Sequence, residues 1–302
     1  MKGTSKQNRI RRFFSKYGEN YLFIAPYVLL FVLFSIIPVV ASIVLSLTYF
    51  NVLQPPEFIG LKNYFKLFLD DPLFVLALKN TILFSVITGP ISFFICLFLA
   101  WLINEFPPKL RALLTLLFYA PSISGGVFLI WQLILSNDAY GLLNGILLNL
   151  NIVYEPIQWT ADTKYMFGAA IAVVLWMSLG TSFLAFIAGF QNLDRTLFEA
   201  GAVDGLKNRW QELWYITLPS IRSQLMFGAV MSITASFGIG DVITGIFGFP
   251  STNYALHTLV HHLQDYGNIR FEMGYASAIA TLLFLIMVGY NKLVQRFLRK
   301  LG

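Results

Sequence analysis

Six apolar runs, at about 22–47, 80–103, 112–135, 166–190, 224–247 and 273–291, dominate this chain and decide what it can fold into. Each is long enough for a helix that crosses a hydrocarbon layer of roughly 30 Å, which takes about 20 residues. In lipid every backbone N–H and C=O must be satisfied within the segment, so these runs are read as helices. Only 12% of the 302 residues are charged, about half the ~25% of a soluble domain, which leaves too little polar surface to cover a large aqueous domain. The reading is an all-α, polytopic membrane protein with six transmembrane helices. The single cysteine, Cys96, lies inside an apolar run, which excludes an internal disulfide and a Cys-rich metal site and leaves it as a packing residue.

Orientation follows from where Lys and Arg fall. The polar segment 1–21 carries Lys2, Lys6, Arg9, Arg11, Arg12 and Lys16. The run after it is too long for a signal peptide and has no small-residue cleavage site behind it, so it is read as a retained helix. With this segment in the cytoplasm, 16 of the 21 basic residues fall on the inner side, against Lys62, Lys66, Lys79, Lys164 and Arg270 outside. That bias predicts both termini in the cytoplasm, and residues 22–302 as one membrane domain. The basic ends are explained by topology, with no nucleic-acid partner.

The predicted outer loops are 48–78, 136–165 and 248–270. The inner loop 191–223 stands apart, because it is long and polar where only a short connection is needed. Its spacing predicts a short helix over Leu197–Val203 with Glu199 in its first turn, then Gly205 in a left-handed conformation. A second helix is expected from about Asn208 until Pro219 resets the chain. Trp210, Leu213, Trp214 and Thr217 would share one face of it. Such a helix–turn–helix is either a docking protrusion or an interfacial loop anchored by tryptophan.

Residues 198–219 resemble the EAA motif of ABC importer permeases, a Glu-Ala-Ala-x-x-Asp-Gly-Ala pattern followed by Ile-x-Leu-Pro. Glu199, Ala200, Asp204, Gly205, Ile216, Leu218 and Pro219 match it; Gly201 stands at the third position, Leu206 replaces an alanine, and the spacing is one residue longer than the commonest. Residues 58–85, with Pro121, Trp131, Gly141 and Asn144, are similar to carbohydrate-type permeases of the maltose and glycerol-phosphate subfamily. The resemblance implies a MetI-like, MalF-like permease core in a prokaryotic inner membrane. The implied partners are a MalG-like second permease, two ATPase subunits, an extracytoplasmic solute-binding protein and a carbohydrate, most simply an oligosaccharide, in a lipid bilayer. It also implies that Glu199, Ala200, Gly201, Asp204, Gly205 and Pro219 form the coupling element gripped by the ATPase. The chain has no Gly-x-x-x-x-Gly-Lys-[Ser/Thr] phosphate loop, so ATP and magnesium belong to the partner; no cofactor and no catalytic residues are assigned here.

For the substrate path, breaks inside apolar runs are the physical pointer. Pro121 with Gly125 and Gly126 interrupts the third run; Gly238, Gly240, Gly245 and Gly248 loosen the fifth. The candidates near them are Asn80, Ser122, Ser124, Trp131, Gln132, Trp176, Ser236 and Asp241, with the indoles able to stack on a sugar ring. His257, His261 and His262 are read as part of an outer loop facing the binding protein, without a carboxylate to complete a metal site. A polyol or glycerol-phosphate permease is the neighbouring alternative. An ion-coupled carrier is disfavoured, since the runs hold almost no paired acids or bases.

Overall fold

The computed structural model describes residues 19–301, with side chains through 298, so the basic segment 1–21 lies outside the described residues except for its last three. The first helix, α1 (Glu19–Leu45), is 27 residues long. It loosens into a π turn at Val32–Ile36, just before Pro38, which has no N–H to return to the preceding turn. A short antiparallel ladder follows, β1 (Thr48–Tyr49) with β2 (Glu57–Phe58).

Helix α2 (Pro72–Asn104) begins eight residues before the apolar run that predicted it, because local chemistry starts a helix there. Asp71 is the N-cap and accepts the Phe74 N–H at 3.0 Å, while Pro72 supplies a preset φ at the first position. At 1.5 Å per residue its 33 residues reach about 50 Å, more than the roughly 30 Å of hydrocarbon, and Lys79 lies within the helix instead of in a loop.

The interruption expected in the third run, 112–135, is a sharp one. Helices α3 (Pro108–Ile123) and α4 (Val127–Ile134) meet at 87°. Pro121 is accommodated inside α3; the turn comes after it, at Ser124–Gly126, where two glycines lack the side chains that would hold a helix together. Helix α5 (Leu142–Asn149) follows in the next connection. The fourth run is α6 (Thr163–Met177) and α7 (Thr181–Gln191), interrupted at Ser178–Gly180. The fifth is α10 (Arg222–Phe237) and α11 (Gly240–Phe247), bent by 44° at Gly238. Between the fourth and fifth lie α8 (Arg195–Val203) and α9 (Arg209–Glu212), the latter continuing through a π turn, Leu213–Thr217, to Ser220. A six-residue helix, α12 (Leu259–Gln264), precedes the last one, α13 (Met273–Leu301). Four helical stretches are long and apolar enough to cross a membrane, or six if each bent pair counts as one.

Packing centres on α2, α7 and α10. Phe183 and Phe186 of α7 are fully buried with Cys96 of α2, and Gly228 of α10 gives the Phe186 ring its place: a methyl there would overlap the ring. Ser182 ties the same surfaces by donating to the Gly228 carbonyl at 3.0 Å. A second cluster joins Phe74 and Ala77 of α2 to Leu259 of α12 and Tyr275 and Ile279 of α13. By contrast α1 buries none of its apolar window, and its Ile37–Leu45 part packs on α13.

Candidate functional site

The helix interruptions converge. Ser122 at the end of α3, Ser178, Gly180 and Ser182 at the α6–α7 break, and Ser236 and Gly238 at the α10–α11 break surround one cavity of about 270 Å³. Thr88 and Ser92 of α2 complete it, and none of the described residues lining it is charged. Ser182 and Ser232 bond between α7 and α10, Ser182 to Gly228 O and Ser232 to Ser182 Oγ, both at 3.0 Å, but four of the other hydroxyls share one habit: Thr88 donates to Phe84 O at 2.8 Å, Ser122 to Tyr119 O at 2.8 Å, Ser178 to Leu175 O at 2.6 Å and Ser236 to Ile233 O at 2.7 Å. Each donor is spent on the residue's own helix, which leaves the oxygen lone pairs to accept from whatever enters. A wall of acceptors with methionine and valine between them suits an uncharged molecule with many O–H donors.

Of the candidates chosen from sequence, Ser122 and Ser236 line this cavity. Asn80 lies elsewhere: its amide donates to Ala255 O at 3.0 Å and His257 O at 2.9 Å, which anchors the loop after α11 to α2. Ser124 caps α3 and is exposed, and Gln132 donates to Gly245 O at 2.7 Å, tying α4 to α11. Trp131 and Trp176 meet edge to face at 5.5 Å, so each presents its ring to the other. Asp241 sits exposed in the first turn of α11. The polar residues missed were Thr88, Ser92, Ser178, Thr181, Ser182 and Ser232. The Ser-Leu-Gly-Thr sequence at 178–181 was the available signal for a break in the fourth run.

The loop 191–223 folds with three changes to expectation. Helix α8 starts at Arg195, capped by Asp194 accepting the Thr196 N–H at 2.9 Å, which puts Glu199 beyond the first turn. The second helix passes through Pro219 without stopping, since proline near the start of a new α turn costs no hydrogen bond. In that helix Leu213 and Thr217 are buried, whereas Trp210 and Trp214 remain more than half exposed, because the π turn rotates the face that four-residue spacing would align. The turn between the helices is a Schellman motif: Gly205 has φ +96°, Leu206 N–H donates to Gly201 O at 3.0 Å, and Gly205 N–H to Ala202 O at 3.3 Å. The Leu206 side chain then covers Gly201, where a Cβ would come within 2.8 Å of Leu206 Cδ1 and 2.6 Å of Ile216 Cδ1. The two departures from the EAA pattern, Gly201 and Leu206, thus compensate each other. Glu199, Ala200, Asp204, Gly205 and Pro219 are exposed, and Glu199 has no ion-pair partner among the described residues.

His257, His261 and His262 are not a surface loop: all three are at most 3% exposed, so the expectation of an exposed histidine face is corrected. His257 Nε2 and His262 Nδ1 are 3.1 Å apart, and His262 Nε2 lies 3.0 Å from Asp71 Oδ2. The same carboxylate accepts from Tyr275 at 2.8 Å and Tyr266 at 3.3 Å. His261 pairs with Thr258 at the start of α12 and with Gly240 O and Thr244 of α11. The carboxylate unforeseen in the sequence is Asp71, 191 residues from its histidine partner. Burial holds the imidazoles neutral, with His257 pushed down to about 3 by burial and then by its histidine neighbours. Burial raises the Asp71 carboxyl, but the Phe74 N–H, Tyr275 and His262 outweigh it and hold the group below the usual carboxylate range.

Membrane-length helices broken around an uncharged, hydroxyl-lined cavity define the class as a polytopic transport permease. The chain is 32% identical to "Probable ABC transporter permease protein YesP" of Bacillus subtilis, across 91% of this chain and 88% of the relative. It is 29% identical to "Lactose transport system permease protein LacF" of Rhizobium radiobacter, across 94% of each. A chain of the bacterial alginate ABC transporter, crystallised with an alginate pentasaccharide-bound periplasmic protein, shares the fold at a TM-score of 0.74 and 20% identity, over 94% of this chain and 96% of that one. No protein-family model matches. The chain belongs to the sugar-type ABC transporter permeases, and it is a multi-pass protein of the bacterial inner membrane.

Proposed function

We propose that the chain forms half of the translocation path of an ATP-driven, binding-protein-dependent importer for a neutral oligosaccharide, with a second permease as the other half. The observation that carries the substrate class is the cavity: every hydroxyl lining it that bonds to its own helix offers acceptors, and no lysine or arginine is present to meet a phosphate. The lactose system of the second relative agrees with a neutral sugar. A glycerol-phosphate ligand would need cations that this half does not offer.

The basic-residue bias puts the Glu105 end of α2, both termini and the loop 191–223 in the cytoplasm. There Glu199 and Asp204, exposed beside the small surfaces of Ala200 and Gly205, offer a separate ATPase a carboxylate and a close backbone approach. ATP and magnesium are held by that partner, and the Asp71 end faces the extracytoplasmic binding protein. Switching requires the ATPase to bind the two permease states differently, since contact without differential affinity moves nothing.

Uptake of radiolabelled lactose, maltotriose and glycerol 3-phosphate in cells carrying the intact importer tests both parts. Neutral sugar should accumulate and glycerol 3-phosphate should not; the reverse overturns the substrate reading. Glu199→Arg and Gly201→Leu should each lower uptake at least about tenfold, the equivalent of ~1.4 kcal/mol, while membrane insertion persists. Normal uptake in both variants, or uptake without the ATPase, overturns the coupling role.

A further inference from the structure

We propose that Arg209 and Glu105, with Trp210 against Trp101, form the link through which the coupling loop moves α2. This rests on the coupling reading above and goes beyond it, because it says where the motion enters the membrane domain. The two pairs are positioning residues: they touch neither sugar nor nucleotide and act through the helix they hold.

The geometry is as follows. Arg209 Nη2 is 2.9 Å from Glu105 Oε2, and Arg209 Nη1 is 2.9 Å from Glu212 Oε2. The fork of one guanidinium therefore holds a carboxylate of its own helix, three residues on, and the C-cap residue of α2. Beside it the Trp101 and Trp210 ring centroids are 5.1 Å apart. Helix α8, which carries Glu199, leans on the second helix through Gly201 and Ile216, and it faces α2 across a hollow of about 510 Å³ bounded by Trp101, Glu105, Phe198, Glu199 and Arg209. A displacement of α8 alone could be absorbed in that space. Carried through Ile216 to the second helix, it reaches α2 at the edge where the ion pair and the indoles close the gap. Helix α2 is continuous from Glu105 to Asp71 and carries Thr88 and Ser92 into the cavity on the way. Arg111 also donates to Asn104 at 3.0 Å, so the start of α3 is tied to the same helix end.

The test uses the complete importer, with this chain bearing Ser92→Cys as a reporter on α2; the native Cys96 is buried. The rate of maleimide labelling at position 92 is compared without nucleotide and after trapping with ATP and vanadate. Trapping should change the rate in the otherwise unaltered complex. Arg209→Ala and Glu105→Ala should each shrink that change about two- to fivefold, the scale of an exposed ion pair, and the double variant should be no worse than the poorer single. Arg209→Lys should restore most of it at low salt and lose it at high salt. Trp210→Ala in the Arg209→Ala background should abolish what remains. Undiminished change in the single variants, or additive losses in the double, overturns the link. If trapping leaves labelling unaltered even with both pairs intact, the coupling reading itself fails; if Gly201→Leu blocks the change while Arg209→Ala does not, only the link fails.

Discussion

Asp71→Ala should lower stability by ~3–5 kcal/mol, because it removes one partner from a buried network and leaves the others without an acceptor. Four groups converge on that carboxylate: the Phe74 N–H, His262, Tyr266 and Tyr275, drawn from α2, α12, the segment after it and α13. Loss of the N-cap adds its own cost of about 1 kcal/mol to the first turn of α2. Thermal unfolding of the detergent-solubilised protein measures the effect, and Asp71→Asn, which keeps an acceptor oxygen, should lose less. The same network sets a pH response. Unfolded imidazoles titrate at 6.5, whereas folded His257 titrates at about 3 and His261 and His262 below their ordinary value. Between those limits the unfolded chain binds protons that the folded one refuses, so stability is greatest above 6.5 and falls as the pH drops through that window. Asp71, held below 3.8, acts in the same direction at the acid end. A melting temperature that is flat from pH 7 to pH 4 would show that the histidines are not buried as described.

Gly274→Ala should be the most damaging glycine substitution in α13. Its Cβ would fall on the Thr48 carbonyl oxygen and within 3.0 Å of the Phe50 N, both backbone atoms of a chain already held by the Gly274 N–H donating to Phe50 O at 3.0 Å. Neither side can yield as a flexible side chain would, so the helix start and β1 must separate. A cost of about 3 kcal/mol or more is expected, at the upper end for overpacking. Gly289 provides the contrast: it lies inside the same helix with nothing within 4 Å of its would-be Cβ. Gly289→Ala should therefore be neutral or raise stability by ~0.5–1 kcal/mol through helix propensity. Equal melting temperatures for the two variants would contradict the packing of α13 on β1.

What could be read from the sequence divides by range. The membrane-length runs are visible because composition alone decides them, and the Asp71-Pro72 pair that starts α2 was a local cap signal, overlooked because the run was bounded by its apolar residues, which leaves Lys79 outside. The break after Pro121 was legible from Gly125 and Gly126; the angle of 87° was not, since direction is set by what α4 packs against. The turn at Gly205 was legible for the same local reason, whereas the π turn at Leu213–Thr217 has no comparable residue signature and displaced the face assigned to Trp210 and Trp214. Histidines 257, 261 and 262 fall between apolar runs, which reads as an outer loop and gives no sign of their burial. Their partners, Asp71 and Tyr275 among them, come from distant helices, and only the assembled fold supplies the acceptors that make burying them possible.

The habit of the cavity hydroxyls has an evolutionary consequence. Thr88, Ser122, Ser178 and Ser236 each bond to a carbonyl of their own helix, so none of those four bonds pins one helix to another. Exchanging one of them for alanine or valine changes the recognition chemistry of the wall at a single spot and leaves the helix packing to the phenylalanines and glycines outside it. Ligand preference can thus drift one residue at a time across descendants of such a chain, without each step having to be rescued by a second mutation elsewhere.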